Sequence, residues 1–227
     1  MEERVVRRMA ALAGIAFVVL LVVTIVLVLP APMPNKSAVK IAKWFMDHRG
    51  AVFTSSALGG LATVVFLWFL GYLHHVLAQL TGVSRALSSI VLTSGIATVT
   101  LATVAGLPFA ALAVTAGRPG VAPSEGVVHL LADLNGFGGN LIGFGLAVFL
   151  VALGLELAQG ALRPGWAAWI AYAGAILNLI ASVAGFYVSK SGKPNPIGFA
   201  GLIGLIAFLV TVVAISIDLL GSAEVAP

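Results

Sequence analysis

VVHLLADLNGFGGNLIGFGLAVFLVALGLEL, residues 127–157, is apolar for longer than the about 20 residues a helix needs to cross the hydrocarbon core of a bilayer. Its reading decides the fold, because five further stretches of similar character follow from the same rule. The six spans are placed near 9–29, 52–78, 86–116, 127–157, 166–189 and 197–220. Sixty per cent of the 227 residues are hydrophobic and nine per cent are charged. The mean hydropathy is +1.12, outside the range of an ordinary soluble domain. The predicted fold is all-α, a polytopic membrane helix bundle in one domain over residues 1–227.

Two spans exceed the length of a perpendicular helix. Pro108 in the third predicts a kink, because proline removes a backbone donor. The fourth is expected to begin in the interface, with Ser124 as N-cap and Glu125 in the first turn. Short Pro- and Gly-marked connections, GRPGVAPS, QGALRPGW and KSGKPNP, fit one compact bundle.

The connection after the first span is different. Within PAPMPNKSAVKIAKWFMDHRG, Lys36, Lys40, Lys43 and Asp47 share one helical face, and Ala38, Ile41, Ala42 and Phe45 share the other. This pattern predicts an amphipathic helix over about 36–48 lying on the membrane, with Trp44 at the interface. The N-terminal run from Met9 to Leu29 follows a basic segment but is longer than a cleavable signal core, and it reads as a retained span.

Charge gives a divided view of orientation. With the N-terminus inside, Arg4, Arg7, Arg8, Arg85 and Arg163 are cytoplasmic. Lys36, Lys40, Lys43, Arg49, Arg118, Lys190 and Lys193 are then outside. The basic segment before the first span favours N-in and C-in, since the first helix usually dominates.

Composition excludes several functions. The formal net charge of +4 belongs to membrane flanks and loops, and no basic stripe with interleaved aromatics marks a nucleic-acid surface. Cysteine is absent, which removes disulfides, thiolate catalysis and cysteine-ligated metals. A serine-hydrolase elbow, H-E-x-x-H and a close carboxylate pair are also missing, so the expectation is no enzyme. GFGGN resembles a phosphate loop only superficially, lacking a preceding strand and a following Lys-Ser/Thr. His74 and His75 diverge by about 100° on a helix and lie at the opposite membrane face from His129, which disfavours joint haem ligation. No cofactor or metal is expected.

The candidate site is a polar stripe on the fourth span. His129, Asp133 and Asn140 share one face with Gly136 and Phe137, extending over about 16 Å of helix rise. Ionisable groups inside a membrane usually face protein or water, so the stripe is expected to point inward. Asn178 on the fifth span sits at a depth similar to Asn140. The functional reading is an outward-opening polar cavity in which Asp133 binds a cation, a proton or a polar ligand group and His129 tunes its charge. The structural alternatives are interhelical hydrogen bonding, worth about 1 kcal/mol per group, or a headgroup-level position for Asp133. Glu156 and Asp218 read as surface ion-pairing residues with Arg85 and Arg163 as partners. Gly139 and Gly143 form G-x-x-x-G, and Gly198, Gly201 and Gly204 give the last span a small face; both predict close helix packing.

LELAQGALRPGWAAWIAYAGAILNLIASVAGF and the earlier HRGAVFTSSALGGLATVVFLWFLGYLHHVL resemble a broad set of small six-span bacterial membrane proteins, common in actinobacteria and grouped as a domain of unknown function. The likeness rests on Asp47, His48 and Arg49 after the amphipathic segment and on the turn Arg163, Pro164, Gly165 and Trp166. It implies a six-helix fold in a bacterial plasma membrane and supplies no activity or binding residues.

The reading is a multi-pass membrane protein that serves as a non-enzymatic accessory or assembly subunit, or that binds a hydrophobic ligand. Membrane lipids are the expected partners, alongside another membrane protein or a second copy of the chain. A small transporter or channel using the polar stripe is the alternative, and a lipid enzyme is third.

Overall fold

The computed structural model describes residues 2–29, 31–32, 34–79, 85–118, 123–160, 162–188 and 198–225. Seven helices account for the fold: α1 Glu2–Leu27, α2 Ala38–Asp47, α3 Arg49–Gln79, α4 Arg85–Ala116, α5 Glu125–Ala158, α6 Trp166–Val188 and α7 Gly198–Val225. Among the described residues there is no strand. Six helices are long and apolar enough to span a membrane, and the short α2 is the seventh. The protein is a multi-pass membrane helix bundle. Lys190 and Lys193, used in the orientation argument, lie outside the described residues.

Each long helix packs on the next, and α7 returns to α1, so the six form a closed ring in chain order. The end where α1 begins and α7 finishes is called the near end, and the end carrying α2 the far end. Close approaches give the register: Gly138 to Ala105 and Gly145 to Thr98 between α5 and α4, and Gly14 to Ser216 between α1 and α7.

The middle of the ring is filled by aromatic side chains. Phe66 of α3 lies 4.3 Å from Phe17 of α1 between ring centroids, 5.8 Å from Phe208 of α7 and 6.2 Å from Phe149 of α5. Phe149 and Phe208 are themselves edge to face at 5.8 Å. Helices α3, α5 and α7 are not consecutive around the ring, so their rings meet only because they reach across its axis. These pairs contribute geometry as well as burial, about 0.5–1.5 kcal/mol each beyond their area.

Helix ends follow local chemistry. The Ser124 side chain accepts a hydrogen bond from the Val127 N–H at 3.4 Å, and Glu125 occupies the first turn, as the sequence predicts. Gly160 ends α5 with φ of 79°, a left-handed conformation that costs glycine nothing. Pro108 lies inside α4 without ending it. Hydroxyls along α4 bond back to their own helix, for example Thr98 to the Ser94 carbonyl at 2.7 Å, which hides their polarity from lipid.

The amphipathic reading of α2 is correct in its faces, with a change in what covers them. Ala38, Ile41 and Phe45 are buried, and Lys36, Lys40 and Lys43 are exposed. The apolar face rests on protein, against Val52 of α3, Leu112 and Ala113 of α4 and Val128 and Ala132 of α5. Phe45 meets Phe109 edge to face at 4.8 Å. Trp44 is half-buried and stacks on His48 at 4.5 Å. The helix therefore caps the far end of the bundle.

Candidate functional site

The polar stripe of α5 does not turn inward as a unit. Asp133 and Gly136 are exposed, and among the described residues no hydrogen bond or ion pair reaches Asp133. His129 is half-buried, with Nε2 3.9 Å from Glu125 Oε1, an i,i+4 pair at the surface that contributes little. Asn140 lies half-buried against Gly185 of α6. Asn178 is buried, donates to the Gly174 carbonyl at 2.8 Å and lies where a side chain on Gly204 would stand. Thus Asn140 and Asn178 belong to helix contacts, while Asp133 is exposed and His129 half-buried at the far end. The missed residue of this region is Asn135, whose side-chain amide crosses to the Ala105 carbonyl of α4 at 3.0 Å.

The small-residue reading needs one correction. Gly139 is exposed with open space beside it, so G-x-x-x-G does not form a two-glycine contact. Gly143 packs closely, since a Cβ there would collide with the Ser182 hydroxyl of α6. The physical reason is rotation: the face of α5 that meets α6 carries Gly143, whereas the face that meets α4 carries Gly138 and Gly145. On α7, Gly204 meets Asn178 and Gly201 faces Ala181, with 3.2 Å available to an added Cβ. The packing around Gly198, the first residue of α7, lies outside the described residues.

A groove opens where α2 passes the end of α4 and the start of α5. Its volume is about 700 Å³. The apolar floor includes Ala38, Val39, Ala42 and Met46 of α2 with Ala116 of α4, and Val39 is 79 % exposed. Lys43, Arg118 and Glu125 are its charged edge. Lys43 holds Asp47 at 3.2 Å, and Lys36 and Lys40 extend the basic face of α2. An apolar floor with a mainly basic rim suits an amphiphile with an acidic or polar head.

At the near end Glu156 is not the surface ion-pairing residue the sequence suggests. Asp218 Oδ2 accepts from the Arg163 backbone N–H at 3.4 Å. Glu156 is 0 % exposed, and neither carboxylate oxygen has a hydrogen-bond partner among the described residues. His74 and His75 diverge as expected, Nδ1 of His74 lying 3.1 Å from the Ser88 carbonyl and Nε2 of His75 3.0 Å from the Gln79 amide. The sequence places Glu156 at the surface because it stands two residues before the end of α5, where a charged group normally reaches water. The available signal was its spacing from Phe149 and Leu153, i+7 and i+3, both on buried positions. Among the described residues no three His, Asp or Glu side chains come together as a metal-ligand set.

No family model, curated protein or solved structure matches this chain.

Proposed function

We propose that this protein is a non-enzymatic accessory protein of a bacterial plasma membrane that binds a lipid or a similar amphiphile in the far-end groove. The groove itself carries the reading: apolar side chains of α2 are left uncovered beside Lys43, Arg118 and Glu125. An acyl chain would cover Val39 and Met46 while its head group meets the basic rim. The plasma-membrane and bacterial parts of the reading come from the resemblance to small six-span bacterial proteins, together with the six apolar helices.

The channel or transporter alternative has less to support it. Phe17, Phe66, Phe149 and Phe208 meet across the ring axis, and the α5 stripe is split between an exposed face and helix contacts. A transport path requires polar groups on several helices around one cavity.

Native mass spectrometry of the protein from nanodiscs of phosphatidylglycerol and phosphatidylethanolamine tests the proposal. The expected result is a retained phosphatidylglycerol adduct that Ala42→Trp, which fills the groove, removes. A second polypeptide at constant ratio in extracts from the native membrane, with no lipid retained, would replace lipid binding by the assembly-subunit reading. Equal retention by wild type and Ala42→Trp would remove the groove as the site.

A further inference from the structure

The near end of the bundle holds a carboxyl group that nothing so far explains. Gly138 and Gly145 of α5 touch α4 at Ala105 and Thr98. Glu156 follows them by eighteen and eleven residues, close to whole numbers of helical turns, so it faces α4 as well. Both glycine contacts pair residues whose numbers sum to 243, and the same antiparallel register sets Glu156 opposite Leu87, the residue before Ser88. Ser88 is fully buried, its hydroxyl turned to the Arg85 carbonyl at 3.0 Å, and its own carbonyl faces His74 Nδ1 of α3. Ser88 and His74 meet where α3 ends and α4 begins, at the same end of the bundle as Glu156.

The surroundings are otherwise oily. Leu73, Leu77, Leu153, Leu157, Ile215 and Leu219 are all buried at this end of the core. Charged and titratable groups at this end of the ring are Arg85 of α4, Tyr72, His74 and His75 of α3, Arg7 of α1, whose Nε is buried without a hydrogen-bond partner among the described residues, Tyr172 of α6, whose ring abuts Gly154, and Asp218 of α7, engaged with Arg163. No described group hydrogen-bonds either Glu156 oxygen. A carboxylate taken out of water without a partner is expensive, and the charge must be met by something positive at the site.

We infer that Glu156 anchors a site for one small cation, a proton or a monovalent metal ion, at the near end of the bundle. The carboxylate supplies the charge, and the Ser88 hydroxyl and the His74 ring lie at the same end of the bundle. The phenylalanine cluster, seven residues away along α5 at Phe149, separates the site from the far end, so it exchanges its cation with the near side alone. This is a bound charge within the fold, independent of the groove under α2.

The test uses the full-length protein in nanodiscs and dicyclohexylcarbodiimide, a reagent that adds to protonated carboxyls in apolar settings. Modification of Glu156 is read by peptide mass spectrometry while pH is raised, and separately while Na⁺ is added at constant pH. A several-fold fall with pH alone identifies the proton as occupant; a further fall with Na⁺ identifies a metal ion that competes with it. Labelling that is absent, or indifferent to both titrations, overturns the site. Glu156→Gln keeps the shape without the charge, so its thermal midpoint is expected to lose the pH or Na⁺ dependence of the wild type. A variant that keeps the full dependence overturns the proposal equally.

Discussion

Asp133 and Glu156 are carboxylates on the same helix, and their surroundings differ in nearly every respect. Asp133 stands exposed at the far end, sixteen residues before Phe149, or about 24 Å at about 1.5 Å per residue. Glu156 follows Phe149 by seven residues, about 10 Å, and is fully buried. Along the helix axis Asp133 therefore stands more than twice as far from the phenylalanine cluster as Glu156 does. The carboxylate deep within the apolar-looking run is thus the exposed one, and the one beside a helix terminus is sequestered. Nearness to a helix end measures exposure poorly when neighbouring helices extend past it.

The comparison can be broken most forcefully by charge reversal. Glu156→Lys forces a buried cation into the inner face of α5 and is expected to cost about 3 kcal/mol or more, while Asp133→Lys stays within about 0.5 kcal/mol. Equilibrium unfolding in mixed micelles, followed by tryptophan fluorescence, measures both; similar losses would erase the distinction between the two ends.

A second pair sharpens the same contrast with small residues. Gly143→Leu overpacks the contact with Ser182 and is expected to destabilise by about 1–3 kcal/mol. Gly139→Leu, four residues earlier and open to its surroundings, should be neutral or up to about 1 kcal/mol stabilising through helix propensity. Reversal of that order would mean the rotation of α5 against α6 is wrong.

Smaller effects are expected at the far end. Ser124→Ala removes the acceptor for Val127 N–H and should cost about 0.5–1 kcal/mol, visible as faster amide exchange in the first turn of α5. Asp133→Asn should change stability by less than about 0.5 kcal/mol and leave lipid retention in the groove unaltered. A large loss in either readout would return Asp133 to the centre of the functional argument.

Span number and position were legible because hydropathy and length are properties of each segment alone. The stretches read as 86–116 and 127–157 correspond to Arg85–Ala116 and Glu125–Ala158, within the usual uncertainty of helix ends. The two faces of α2 were legible for a related reason, since Ala38, Ile41 and Phe45 repeat with the helical period. That α2 lies on α3, α4 and α5 was not legible, because lipid and protein ask for the same apolar face. The stripe of His129, Asp133 and Asn140 was correctly assigned to one side of a helix, but periodicity does not say which neighbour that side meets.

Sequence by itself determined a six-span α-helical membrane bundle with an amphipathic segment after the first span, because the bilayer imposes length and apolarity on each helix independently. Tertiary structure alone decided the closed ring, the phenylalanine cluster on its axis, the groove beside α2 and the burial of Glu156. These depend on how each helix is rotated and registered against its neighbours, a matter settled by contacts such as Gly138 on Ala105 and Gly143 on Ser182 that only form when distant segments of the chain meet.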